Sequence, residues 1–193
     1  MLDTSRQWGR FEGEIKRDHV NRYRFALNYV TGRTLDAACG CGYGSKILLE
    51  KASSVVGVDA SSSAIRWANE YFRGPQFIEG RIEESPWIGE FETVVSLETL
   101  EHLEQPEGAL EAFRKACKGK LIASVPNEDF YQFKAEVFAK DESPHFRHYR
   151  PHEFQDLLEG CGFEVVERFC QRSKQDPEVV KGVDGRYMVF VCT

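Results

Sequence analysis

The chain has 193 residues, 41% hydrophobic and 29% charged, enough for one α/β domain with its own core. No apolar run approaches the ~20 residues that span a bilayer, and the opening MLDTSRQWGR lacks the apolar stretch of a secretory signal. A formal net charge of -6 argues against broad, sequence-independent nucleic-acid binding, though Arg6, Arg10, Lys16, Arg17, Arg22 and Arg24 offer a local basic patch. The six cysteines include one C-x-C pair, Cys39 and Cys41, with no second pair at zinc-site spacing. Reduced thiols in a cytoplasmic protein are therefore expected.

Residues 14–30 read as a leading helix, because Val20, Tyr23, Leu27 and Val30 recur at three- and four-residue steps, and Gly32 stops it. A short strand, 33–37, enters a glycine-rich turn, and a helix resumes over 43–51. The β-branched run 54–59 suits a strand buried on both faces. Ser61, Ser62 and Ser63 can cap the next helix, which runs to about Phe72 before Gly74-Pro75. Strands follow at 76–79 and 91–97, a helix at 106–117 and a strand at 120–125, ended by Pro126-Asn127. Residues 127–149 break this rhythm with aromatic and charged groups and read as a partly helical lid. Pro151 suits the first turn of another helix. Two late strands, 163–169 and 186–191, have a polar connection and no helix between them, so an antiparallel hairpin is expected at the sheet edge. The alternation implies a mostly parallel sheet, and no linker divides residues 1–193.

The sharpest local signal is LDAACGCGYG, residues 35–44, where Gly40, Gly42 and Gly44 join a strand tip to a helix. Glycine there permits tight turns and close backbone approach to a ligand. Asp59 ends the next strand, where a carboxylate can accept hydrogen bonds from two ribose hydroxyls. Together these features point to an adenosine ligand without separating NAD from S-adenosylmethionine. A bound pyrophosphate favours G-x-G-x-x-G, whereas the spacing here is G-x-G-x-G after Asp36.

Over about residues 15–170 the chain resembles the class I S-adenosylmethionine-dependent methyltransferases, in particular a small-molecule or glycan-type group with an EHL segment. LDAACGCG matches that family's first motif, L-D-x-G-x-G-x-G, and Asp59 its ribose-binding acid. FETVVSLETLEHL (91–103) matches its fourth-strand motif and LIASVPN (121–127) its fifth strand. The resemblance implies an α/β fold, a doubly wound Rossmann-like sheet of seven strands with an antiparallel last strand and a short lid insert. It implies S-adenosyl-L-methionine as cofactor. Asp36 would orient the glycine loop and the methionine end, and Ala38, Gly40 and Gly42 would lie under the cofactor. Asp59 would hold the ribose and Ala60 pass beside adenine, while Leu97 and Glu98 would border the methionine. His19 or Tyr23 of the leading helix would close over the cofactor carboxylate. Two positions depart from the pattern. Ala38 stands where the family has glycine, which is tolerable only if the backbone there is not left-handed. Arg81 stands where an acid meets adenine, leaving Ile82 to pack on the ring and Glu83 as a polar substitute.

A sulfonium methyl is already electrophilic, so the protein's task is to align an acceptor and exclude water, with a base only where the acceptor must lose a proton. His102, beyond the fourth strand, is the candidate base; it could instead cap the loop with Glu101. Glu98, Glu101 and His102 lack a further acidic ligand in an obvious pattern, so no metal is expected. In SPHFRHYRPHEF (143–154), His145, Arg147, His148 and Tyr149 could face the acceptor, or Arg147 and Arg150 could pair with Glu142 and Glu153. Phe130, Tyr131, Phe133 and Phe138 could wall an organic substrate or anchor the lid. The expected reaction is methylation of an O or N atom of a small metabolite or sugar-linked substrate, with no nucleic acid as partner and a homodimer allowed. SVPN lacks the NPPY or DPPY run of many base-methylating enzymes, which disfavours nucleic-acid methylation. A non-catalytic cofactor-binding scaffold, a non-methylating use of the same cofactor and a nicotinamide-linked oxidoreductase are compatible with parts of the pattern but explain less of it.

Overall fold

In the computed structural model, which describes residues 7–138 and 144–193, the β-branched runs form the expected central strands. These are β1 (Arg33–Ala37), β2 (Ser54–Asp59), β3 (Gln76–Glu79), β4 (Phe91–Leu97) and β5 (Cys117–Pro126). Helices α1 (Arg17–Ala26), α2 (Tyr43–Leu48), α3 (Ser62–Tyr71) and α4 (Pro106–Ala116) alternate with them. The chain ends with α5 (Ala135–Phe138), α6 (Pro151–Gly160), β6 (Val165–Gln171), β7 (Val179–Lys181) and β8 (Tyr187–Cys192). Arg6, Glu142 and the start of the 143–154 segment lie outside the described residues, as does the side chain of Phe138.

The leading helix is shorter than its periodicity predicts. Backbone at Ile15 and Lys16 is extended, and three-residue hydrogen bonds from Asn28 and Tyr29 tighten the far end into a turn. Leu27 and Val30 stay buried from that turn, so the apolar pattern is real although the helix stops. At α6 the prediction holds: Pro151 opens the helix, and the Arg150 N–H donates to Glu153 Oε2 at 2.8 Å.

The sheet has eight strands in the order β3-β2-β1-β4-β5-β8-β6-β7. This corrects two expectations. The polar connection 172–185 contributes an eighth strand, because Val179–Lys181 pairs antiparallel with the free edge of β6. The two late strands, β6 and β8, do pair antiparallel as expected, but they do not end the sheet, because β7 holds the edge. β8 inserts between β5 and β6, antiparallel to both. Every residue of β8 is buried, and Phe190 packs against Phe154 of α6 with ring centroids 4.8 Å apart. Burying such a side chain contributes on the order of 2–3 kcal/mol, which favours the interior slot over the edge.

From β1 the chain winds outward through β2 to β3, then returns to β4 on the other side of β1. The order reverses between β1 and β4, so a crevice opens beyond their carboxyl ends, the place where ligands bind in open α/β sheets. One apolar layer, with Phe113, Leu110 and Phe154, covers one face; Tyr23, Ile47 and Ile65 cover the other. Among the described residues no helix is long and apolar enough to cross a membrane, and the six cysteines form no disulfide.

Candidate functional site

A cavity of about 730 Å³ fills the crevice, large enough for a nucleoside-sized ligand. The three glycines of the loop serve different ends. A Cβ on Gly44 would overlap the Tyr23 ring, so glycine lets α1 seat on the start of α2. Gly42 adopts φ 87°, and a Cβ there would meet Ala68 and Phe77; it packs the loop onto the sheet and does not line the cavity. Gly40 does line the cavity, and its N–H donates to Asp59 Oδ2 at 2.9 Å. Asp59 Oδ1 accepts from the Ser61 N–H at 2.8 Å. The acid at the β2 tip thus ties both neighbouring loops together while facing the cavity.

Ala38 takes φ 62°, the left-handed conformation under which alanine was expected to be unfavourable. An L side chain costs roughly 1–2 kcal/mol there, and glycine loses about 0.4–1 kcal/mol through unfolded-chain entropy. Ala38→Gly is therefore expected to raise stability slightly, by up to about 1.5 kcal/mol, and the denaturant midpoint with it. A clear fall in the denaturant midpoint would contradict the strain.

Asp36 lies behind the loop, outside the cavity lining. Its Oδ1 accepts from the Tyr23 hydroxyl at 3.1 Å and its Oδ2 from the Ser45 hydroxyl at 2.6 Å. Burial raises its pKa to about 7, against the lowering effect of those two bonds. The native chain then holds a proton that the unfolded chain has released above about pH 4. Stability from this group is present below that pH and is lost as pH rises through 7. Across pH 4–8, Asp36→Asn should remove a fall of up to about 4 kcal/mol. Melting of ligand-free protein across this range checks it; parallel curves for both proteins would refute it.

At the β4 tip, Glu98 is also left-handed, with φ 51°. Its N–H donates to the Ser124 carbonyl at 3.0 Å, and its Oε1 accepts from the Ser124 hydroxyl at 2.8 Å. Burial raises its pKa, and nearby Arg22 opposes the rise. Glu101 is fully buried, with neither carboxyl oxygen hydrogen-bonded among the described residues, and burial pushes its pKa well up. His102 Nδ1 lies 3.2 Å from the Pro144 carbonyl. A carbonyl only accepts, so Nδ1 carries a hydrogen, and in the neutral ring Nε2 holds the lone pair. That Nε2 is 4.0 Å from Glu101 Oε1. The same logic runs through two lid histidines. His148 Nδ1 donates to the Tyr131 carbonyl at 2.5 Å, so its Nε2 accepts from His145 Nδ1 at 2.8 Å. His145 Nε2 then carries the lone pair, and burial lowers the His145 pKa to about 3, keeping the ring neutral.

Of the residues singled out in the sequence, the cavity gathers His19, Tyr23, Ala38, Gly40, Asp59, Ala60, Ile82, Leu97, Glu98, His102, Tyr131 and His145. Arg81 and Glu83 also line it, bonded to each other at 2.8 Å. Four expected substrate contacts lie elsewhere. Tyr149 is buried, its hydroxyl 3.4 Å from the Leu100 carbonyl, and its backbone stitches the lid to Pro126 and Glu128. His148 is buried behind His145. Arg147 reaches the Glu104 carbonyl at 2.6 Å instead of a carboxylate, and Arg150 pairs with Glu153 and Asp129. Phe130 is exposed beside a second hollow formed with Gln132, Lys134 and Val137.

The sequence reading placed Arg22 only in a basic patch. It is 1% exposed, lines the cavity, donates to Gln171 Oε1 at 2.5 Å and stacks 4.7 Å from the Tyr187 ring centroid. Its signal was present: Asp18 and Arg22 stand four apart, between Ile15 and Ala26 on the buried side of α1.

Residues 9–168 match the model of a family described as a methyltransferase domain. The ubiquinone biosynthesis O-methyltransferase of Idiomarina loihiensis is 27% identical over 186 residues, covering 83% of this chain and 76% of that protein. A probable S-adenosylmethionine-dependent methyltransferase of Mycolicibacterium smegmatis is 28% identical over 153 residues, covering 77% of this chain and 59% of its own. Among solved structures, a Thermotoga maritima S-adenosylmethionine-dependent methyltransferase, described as a possible histamine N-methyltransferase, aligns with a TM-score of 0.75. At 22% identity over 91% of this chain and 88% of that one, it establishes the fold.

Proposed function

The chain belongs to the methyltransferase domain family and is an S-adenosylmethionine-dependent methyltransferase, and on that premise we propose that it methylates a hydroxyl oxygen of a small metabolite. An amine nitrogen or a sugar-linked acceptor is the nearest variant of the same reaction. The observation that carries this reading is His102, held through Nδ1 by the Pro144 carbonyl, on the wall of a cavity wide enough for cofactor and acceptor together. The name of the Idiomarina relative supports oxygen over nitrogen.

S-adenosylmethionine supplies an electrophilic methyl group when bound. Asp59 is positioned to accept from the ribose hydroxyls and Ile82 to pack on adenine, with Leu97 and Glu98 beside the methionine end. Arg22 offers a cation for the carboxylate of that end, and His19, kept neutral by burial and by Arg22, adds no competing charge. Tyr23, tied to Asp36, closes the helix side. His102 and His145 form the acceptor side, and Tyr131 walls it.

The test is mass spectrometry of phenolic and sugar-nucleotide acceptors incubated with protein and S-adenosylmethionine. Gain of one methyl on an acceptor oxygen is expected. His102→Ala should lower turnover about 10²- to 10⁴-fold while calorimetry finds unchanged cofactor affinity. Full turnover in that variant would remove His102 from the chemistry, and methylated nitrogen alone would replace the hydroxyl reading.

A further inference from the structure

A buried cation lines the cavity with one polar grip on it. Arg22 is 1% exposed, and among the described residues it hydrogen-bonds once, from Nη1 to Gln171 Oε1 at 2.5 Å. We propose that Gln171 is a positioning residue for cofactor binding. It holds the Arg22 guanidinium at the cavity and away from the Asp18 carboxylate, a competitor on the same face of α1.

The Gln171 amide can stand in one orientation only. Its Nε2 donates to the Asp18 carbonyl at 2.9 Å and to the Pro177 carbonyl at 2.6 Å, which uses both N–H groups. Turned over, it would set its oxygen against two carbonyl oxygens and its N–H groups against a guanidinium. Oε1 is therefore fixed for Arg22. Gln171 is itself fully enclosed at the end of β6, and the Tyr187 ring supports the guanidinium from 4.7 Å.

The competitor is one helical turn away. Asp18 stands four residues before Arg22, the spacing and order in which an acid and an arginine pair on a helix. It is 3% exposed, yet its Oδ2 has no hydrogen-bond partner among the described residues. A buried carboxylate oxygen in that state is an unmet acceptor, and a guanidinium on the next turn can meet it. Gln171 prevents this by gripping the Arg22 side chain and the Asp18 backbone at once. The guanidinium donors it leaves unused stay available to a carboxylate in the cavity, where two parallel N–H donors bind most strongly. The inference rests on the reading that Arg22 receives the cofactor carboxylate. Its consequence is selective: losing Gln171 weakens ligands that carry this carboxylate and spares those that lack it.

The probes are S-adenosylmethionine and its decarboxylated analogue, titrated by calorimetry into wild-type and variant chains. Gln171→Met keeps the length and removes the amide. It should weaken S-adenosylmethionine about 10-fold, the scale of one hydrogen bond to a charged group, and leave the analogue unchanged. Adding Asp18→Asn to Gln171→Met should return most of the loss, because the competing charge is gone. Gln155→Met, which takes from Arg168 its acceptor on α6, should leave both affinities unchanged. Binding of the analogue shows that each variant folds. If Gln171→Met does not fold, Gln171→Glu decides: its carboxylate pairs with Arg22 and should weaken S-adenosylmethionine alone. An equal loss for both ligands in the Gln171 variant, or no recovery in the double variant, overturns the positioning role. Equal affinity of the wild-type chain for the two ligands would instead remove the carboxylate reading beneath it.

Discussion

Asp59→Ala should weaken S-adenosylmethionine binding roughly 100-fold, the scale of losing charged hydrogen bonds worth about 1.5–3 kcal/mol each. The expectation has two sources. Asp59 faces the cavity from the β2 tip, where a carboxylate meets ribose hydroxyls. It also accepts from the backbone N–H groups of Gly40 and Ser61, so its loss leaves two loop donors unpaired and loosens the floor of the site. A 2′-deoxy cofactor analogue separates the two. If the carboxylate holds the ribose, removing the 2′-hydroxyl costs the wild-type chain much of its affinity and the variant little. Equal penalties in both proteins would leave Asp59 a role in the loops alone. An unchanged dissociation constant in Asp59→Ala would dismiss it from the site.

The strands were legible because their signal is local. SVVGVD and FETVVSL each carry their β-branched run and stop signal within a few residues, and both strands begin and end where expected. β7 was not legible: VVK is three residues long and forms only because β6 offers a free edge. The slot taken by β8 was equally hidden, since its burial depends on β5 and α6 rather than on its own alternation. At the site, the singled-out residues that line the cavity come mainly from strand tips, where position in the chain dictates position in the crevice. The lid was read less well. His145, Arg147, His148 and Tyr149 are consecutive or nearly so, yet His145 faces the cavity while Tyr149 is buried against Leu100. In an irregular segment no period of 2 or 3.6 sorts inward from outward side chains.

Arg22→Met should cost about 1–3 kcal/mol of stability, the range for leaving a buried hydrogen-bond partner unsatisfied. Arg22 is fully enclosed, gripping Gln171, which in turn holds the carbonyls of Asp18 and Pro177, and it stacks on Tyr187. The substitution keeps most of the volume and removes the charge, so the loss reports electrostatics more than packing. It should also push the Glu98 pKa further up, because Arg22 is the largest influence holding it down. Methionine-end binding gives a separate reading. If the guanidinium receives the cofactor carboxylate, S-adenosylmethionine and S-adenosylhomocysteine lose affinity by the same factor, since both carry that group. Decarboxylated S-adenosylmethionine then binds both proteins alike. Arg22→Lys should recover stability and only part of the binding, because an ammonium restores the charge without the planar fork that engages Gln171 and a carboxylate together. Calorimetric titration of the three ligands into the folded variants checks this. A decarboxylated ligand that suffers the full penalty would show that Arg22 shapes the helix and never meets the carboxylate.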